Sequence, residues 1–125
     1  MKICITSQGD TLEAEVDPRF GRCPYFVIYD TETLRSEFMR NLNADGMGGV
    51  GIQAGQMMSE KGVSAVLTGN VGPNAYQTLR AANVEVITGV SGQVLYAIDK
   101  YKRGELKAAD KPNVEPHFGS GGGAR

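Results

Sequence analysis

The sequence predicts an α/β fold in which a hairpin meander is followed by alternating strands and helices, in the order β-β-β-α-β-α-β-α. Three observations carry this. Short runs rich in β-branched and aromatic residues recur along the chain. Stretches with apolar residues at helical spacing separate the later runs. A glycine-rich turn stands directly before each such stretch: Gly46-Met47-Gly48-Gly49-Val50-Gly51, Thr68-Gly69-Asn70-Val71-Gly72-Pro73 and Thr88-Gly89-Val90-Ser91-Gly92.

Ile3-Cys4-Ile5-Thr6 reads as the first strand. The polar stretch from Ser7 to Pro24 is long for a connection in a compact domain, so it is functional or carries a short strand of its own. Tyr25-Phe26-Val27-Ile28-Tyr29 is apolar on both faces and is expected to be covered on both. Leu34 to Arg40 forms a hairpin with it across the Asp30-Thr31-Glu32-Thr33 turn. Val50, Ala54, Met57, Met58 and Lys61 then follow helical spacing up to Gly62. Ala65-Val66-Leu67 is a buried strand. Gly72-Pro73 is an N-cap with proline at the first helical position, and Tyr76, Leu79 and Ala82-Asn83 continue that helix. Val84 to Ile87 is the fifth strand. Ser91 or Gly92 caps a last helix carrying Val94, Leu95, Ile98 and Tyr101. Strand-helix-strand crossovers imply parallel pairing with helices packed on the sheet. The folded domain is placed at residues 1–104. Residues 105–125, ending in Gly119-Ser120-Gly121-Gly122-Gly123, are expected to be a flexible tail.

With 125 residues, 41% hydrophobic and 22% charged, the chain suits one soluble domain. A formal net charge of -1 provides no global attraction for nucleic acid or a membrane surface, and no run has the length of a membrane span. Met1-Lys2-Ile3-Cys4-Ile5 shows no leader pattern, and two cysteines make no disulfide framework, so a cytoplasmic setting is expected.

Helix N-termini expose unpaired amides and the positive end of the helix dipole, and glycine lets a ligand approach them. Three such turns meeting beyond the carboxyl ends of parallel strands would make one anion-receptive rim. Gly46-x-Gly48-x-x-Gly51 matches a dinucleotide fingerprint only as a pattern. Asn41-Leu42-Asn43-Ala44-Asp45 before it is no strand, and no acidic residue ends the next strand. The run Asp17-Pro18-Arg19-Phe20-Gly21-Arg22-Cys23-Pro24 adds two multi-donor cations, Arg19 and Arg22, suited to a bulky anion. The alternative for Arg19 is a surface pair with Asp17. Cys23 is either a soft-metal ligand or a structural thiol, while Cys4 belongs to the core. His117 is a weak metal candidate in the tail. Asn70 and Asn74 are caps or ligand contacts. Met57 and Met58 fit core packing; Met47 is open. With one histidine and no carboxylate in the first strand, triad hydrolysis and two-metal nuclease chemistry are disfavoured.

Asp17 to Phe26, Gly48-Gly49-Val50-Gly51, Thr68 to Ala75, and Thr88-Gly89 with Ser91-Gly92 together resemble the dinitrogenase iron-molybdenum cofactor biosynthesis family over about residues 1–105. The resemblance implies a ribonuclease-H-like layer with a mixed five-stranded sheet. It implies a protein that binds or carries a metal–sulfur cluster and is not an enzyme. The cluster expected is an anionic molybdenum–copper sulfide held without covalent attachment, with an iron–molybdenum-type cluster as the alternative. The amides of Gly48, Gly49, Val50 and Gly51, of Asn70, Val71, Gly72 and Asn74, and of Gly89, Ser91 and Gly92 would receive sulfide. Arg19 and Arg22 would balance charge, Phe20 or Tyr25 would shield the cluster, and Cys23 would line the site. Expected partners are the cluster and other cofactor-assembly or regulatory proteins. A competing expectation is a regulatory module binding a phosphate-bearing small molecule or a partner at the same rim.

Overall fold

The computed structural model describes residues 1–46 and 48–113. The element order is β1 (Lys2–Ser7), β2 (Tyr25–Asp30), β3 (Ser36–Arg40), α1 (Val50–Glu60), β4 (Val63–Leu67), α2 (Pro73–Ala81), β5 (Glu85–Ile87) and α3 (Val94–Lys102). The five strands form one sheet in the order β3-β2-β1-β4-β5. β2 is antiparallel to both β1 and β3, while β4 is parallel to β1 and β5 to β4. Hence β1, β3, β4 and β5 all point the same way, and their carboxyl ends share one edge. That settles the position of the first glycine turn. Although it follows a hairpin strand, β3 delivers it to the same edge as the other two.

Alternation along the strands sorts the core into two layers. Cys4, Phe26, Ile28, Val66 and Val86 face one side, where they pack with Ala54 and Met58 of α1 and Ala75 and Leu79 of α2. Ile3, Ile5, Val27, Tyr29, Ala65, Leu67 and Ile87 face the other, against Val94, Ala97 and Ile98 of α3. β2 is thus covered on both faces, as its composition requires. α1 and α2 sit unusually close. A Cβ on Gly51 would lie 3.0 Å from Ala75 Cβ, and one on Gly55 would lie 2.8 Å from Thr78 Cγ2.

Some boundaries differ from the sequence expectation. Leu34 is not in β3 but turns at φ 63°, and Asn83 takes φ 62° just past α2. Gln93, not Ser91 or Gly92, is the N-cap of α3. A further difference concerns residues 105–113. The nine residues after Gly104 are laid onto the fold: Leu106 packs against the α3-side core, Ala109 N–H donates to Val86 O (2.7 Å), and Asn113 N–H donates to Val71 O (3.2 Å). Contacts with the fold therefore continue past Gly104 to Asn113. The rest of the tail, including His117, and Met47 of the first turn lie outside the described residues.

Candidate functional site

The long β1–β2 connection ties the glycine turns together. It makes isolated bridges from Ser7 to Val16, Glu15 to Gln93 and Arg19 to Asn70, which is the extra pairing its length called for. Asn70 N–H donates to Pro18 O (2.7 Å) and Phe20 N–H to Asn70 O (3.2 Å), so the arginine run is zipped onto the second turn. At its far end Gly21, at φ 98°, lies against the first turn; a Cβ there would sit 3.0 Å from Gly51 Cα. The arginine loop therefore lies between the N-termini of α1 and α2.

Those two N-termini are open. Helical bonding begins with Gln53 N–H to Gly49 O in α1 and Tyr76 N–H to Gly72 O in α2. The amides before them lack intrahelical acceptors. Neither helix has a side-chain cap or an acidic residue in its first turn. A Cβ on Gly48, Gly49 or Gly72 would meet nothing within 4 Å. Asn70 and Asn74 do not cap α2, whose N-cap is Gly72. Asn74 is exposed, and its carbonyl accepts the Thr78 hydroxyl (3.0 Å).

The third turn is different. Gly89 N–H donates to Gly69 O (2.9 Å) and Val90 N–H to Thr68 O (3.1 Å), which fastens it to the second turn. Val94 and Leu95 N–H, at the start of α3, donate to Ala14 O and Leu12 O (both 2.9 Å). The β1–β2 connection thus occupies these donors, on the opposite face of the sheet from α1 and α2. Gly89 (φ 74°) and Gly92 (φ 86°) serve the turn geometry. The sequence reading grouped Gly89, Ser91 and Gly92 with the other two turns; the structure makes theirs a closed helix start beside an open pair.

Each side chain of the arginine run has a definite role. Asp17 is buried, and its Oδ1 accepts the Arg19 N–H (2.8 Å) and Arg19 Nε (3.2 Å), while Oδ2 accepts Nη2 (3.2 Å). The Arg19 side chain is nevertheless 49% exposed, so the pairing with Asp17 holds it in place at the rim. Arg22 Nη1 donates to Ala44 O (3.1 Å) and Gly46 O (3.0 Å), clamping the approach to α1. Phe20 is buried edge-on to Phe26 with ring centroids 6.0 Å apart, so it is packed into the core. Val50 and Val71 are likewise buried. Thr6 hydroxyl bridges Asp17 O (2.6 Å) and Thr68 Oγ1 (2.8 Å), locking β1, the arginine run and the second turn into one buried network. Asn41, unremarked in the sequence, donates Nδ2 to Gly21 O (2.9 Å) and Cys23 O (2.8 Å). An amide side chain one residue past a strand end is the only signal that pointed to it.

Cys23 is fully buried. Burial, and then the Asp17 carboxylate, push its thiol from the ordinary 9.0 up to about 12, outweighing backbone N–H groups of Gly21, Cys23 and Ser7 that favour the thiolate. Cys4 is raised well above 9.0, first by burial and then by Cys23. A protonated, enclosed sulfur is a core group and a poor metal ligand. The consequence for stability has a definite sign. Below about pH 9 the folded and unfolded chains both hold the proton. Between there and about 12 the unfolded chain releases what the fold retains, so stability falls by up to about 1.4 kcal/mol per pH unit for one such group. Urea unfolding across this range should show that slope, and Cys23→Ala should remove the part due to Cys23.

Among the described residues no group of three or more His, Cys, Asp or Glu side chains could hold a metal ion, and no helix is long and apolar enough to cross a membrane.

Comparison with known proteins agrees with this architecture. The chain is similar to the apo form of the orange protein of Desulfovibrio gigas, with 36% identity over 90% of this chain and 96% of that one and a TM-score of 0.87. It is similar to a Thermotoga NifB-type protein of the DUF35 family, with 38% identity over 90% and 97% of the two chains and a TM-score of 0.79. An uncharacterized protein of Methanocaldococcus jannaschii is 28% identical over 110 residues, covering 86% of this chain and 90% of that protein. The profile of the dinitrogenase iron-molybdenum cofactor family matches residues 1–104, and the chain belongs to that family.

Proposed function

We propose that this chain binds an anionic metal–sulfide cluster, molybdenum with copper, at the carboxyl edge of the sheet between the N-termini of α1 and α2. It acts there as a non-covalent carrier in cofactor assembly or metal handling. The carrying observation is the meeting of two uncapped helix starts beside an arginine loop. Such a cluster supplies its own sulfide ligands, so it needs hydrogen-bond donors and positive charge more than protein ligands. The residues present fit that demand. The amides of Gly51, Asn74 and Ala75 and, in the second turn, of Val71 supply donors, Arg19 supplies an exposed guanidinium, and Arg22 fixes the loop leading into α1. Family membership supports a metal-cluster cargo.

Tetrathiomolybdate and copper added to the metal-free protein should produce a stoichiometric visible charge-transfer band. No band at stoichiometric metal overturns the proposal. Arg19→Ala should lower retention about tenfold, the effect of losing one charged hydrogen-bond donor of about 1.4 kcal/mol. Arg22→Ala should also lower it, because it removes the Nη1 group that donates to both Ala44 O and Gly46 O and holds the approach to α1. A nucleotide mass on the freshly purified protein would assign the same rim to a phosphate-bearing small molecule instead.

A further inference from the structure

After Gly104 the chain crosses from the α3 face, over the edge of β5, to the second glycine turn. Along the way it is held by few contacts. Leu106 is half-buried, Ala109 N–H reaches Val86 O (2.7 Å), and Ala109 O accepts the Tyr76 hydroxyl (3.2 Å). At its end Asn113 makes four hydrogen bonds, all to the turn between β4 and α2. Its Oδ1 accepts Val71 N–H (2.8 Å), its Nδ2 donates to Gly69 O and Asn70 Oδ1 (both 3.1 Å), and its own N–H donates to Val71 O (3.2 Å). Val71 N–H is one of the turn amides that a rim anion would seek. Here the chain's own amide side chain has taken it and occupies the space against Asn70, the residue bridged to Arg19. Asn113 is itself exposed. A segment with one half-buried apolar anchor and exposed hydrogen bonds opens at low cost.

We infer that residues 105–113 are a latch that competes with the cargo for the second turn, so that loading requires Asn113 to leave and an empty rim closes itself. The inference rests on the cluster reading above. Asn113 serves as a placeholder: it satisfies the turn when nothing else does, and its removal frees Val71 N–H and the ground beside Arg19.

The test uses the full chain, with Asn113→Ala at the end of the latch and Ala109→Pro, which deletes the N–H that reaches β5, in its middle. Two quantities are followed: the rate of band formation with tetrathiomolybdate and Cu(I), and tryptic cleavage after Lys107, the lysine of the segment that no proline follows. Both variants should load about three to ten times faster than the unaltered chain, the factor carried by one net hydrogen bond. Both should also be cut faster without metal, and cargo should speed cutting of the unaltered chain. If a band forms but all three chains load at one rate, or cargo leaves cleavage unchanged or slows it, the latch is overturned and the cluster reading stands. Weaker retention in Asn113→Ala likewise overturns the latch, making Asn113 part of the cradle. If no chain forms a band, the cluster reading falls and the latch with it.

Discussion

Replacing Gly55 by alanine lowers folding stability by about 1 kcal/mol, and a Thr78→Ser background recovers most of that loss. Two effects of opposite sign compete. Alanine in a helix interior is favoured over glycine by about 1 kcal/mol. Against that, the new methyl would lie 2.8 Å from Thr78 Cγ2 and 3.2 Å from Thr78 Cβ, and overpacking of this kind costs about 1–3 kcal/mol. The threonine cannot easily turn away, because its hydroxyl is bonded to Asn74 O at 3.0 Å. Serine keeps that bond and deletes the methyl at 2.8 Å, so that the tight 3.2 Å approach to the residue-78 Cβ is what remains against the favourable helical term. Urea unfolding of the four chains decides the matter. Additive effects in this cycle would mean that α1 and α2 are not in contact at these two residues. Gly55→Leu has no such rescue and should cost about 3 kcal/mol. The spacing at stake positions the site, since the contact between Gly51 and Ala75 one turn earlier brings the two open helix starts together.

The element order was legible because each signal is local. The β-prone apolar runs Ile3–Thr6 and Tyr25–Tyr29, proline after Gly72, and the glycines that follow α1 and α3 each report on a few neighbouring residues. The direction of the sheet edge was also accessible: two antiparallel pairings make β3 parallel to β1, so the first turn joins the others whatever its sequence. The state of each helix start was not legible. Gly72-Pro73 and Ser91-Gly92 look equivalent as sequence. One is open and the other closed because residues 12–14, some eighty positions earlier, return to take the amides of Val94 and Leu95. The roles in the arginine run were hidden for a similar reason. Asp17, Arg19, Arg22 and Cys23 are all plausible ligand contacts by type. Only the buried Thr6–Thr68 network and the 44–46 turn distinguish a held guanidinium, a clamp and an enclosed thiol. Asn113 carried no signal, because low apolar periodicity reads as a tail even where a few backbone bonds suffice to dock it.

Gly69→Ala should cost about 2–3 kcal/mol of stability and abolish most cluster retention. A Cβ at this position would lie 2.7 Å from Pro18 Cα and 3.1 Å from Pro18 O, so it meets backbone and not a yielding side-chain tip. Pro18 is fixed on both sides. Its carbonyl accepts Asn70 N–H at 2.7 Å, and the preceding Asp17 N–H donates to Thr6 O at 2.9 Å. Relief therefore requires the arginine loop to separate from the second turn. That would break the Arg19–Asn70 bridge and displace the guanidinium from the two helix starts. Gly48→Ala is the matched control. It lies at the same rim with nothing within 4 Å of its added Cβ, and exposed substitutions of this kind stay within about 0.5 kcal/mol. Unfolding midpoints and cluster retention measured on both variants separate the two ways of being wrong. If Gly69→Ala matches Gly48→Ala in stability, the loop and turn are not packed as described. If it loses stability yet keeps the cluster, the arginine loop is scaffold alone and the charge that holds the cargo lies elsewhere.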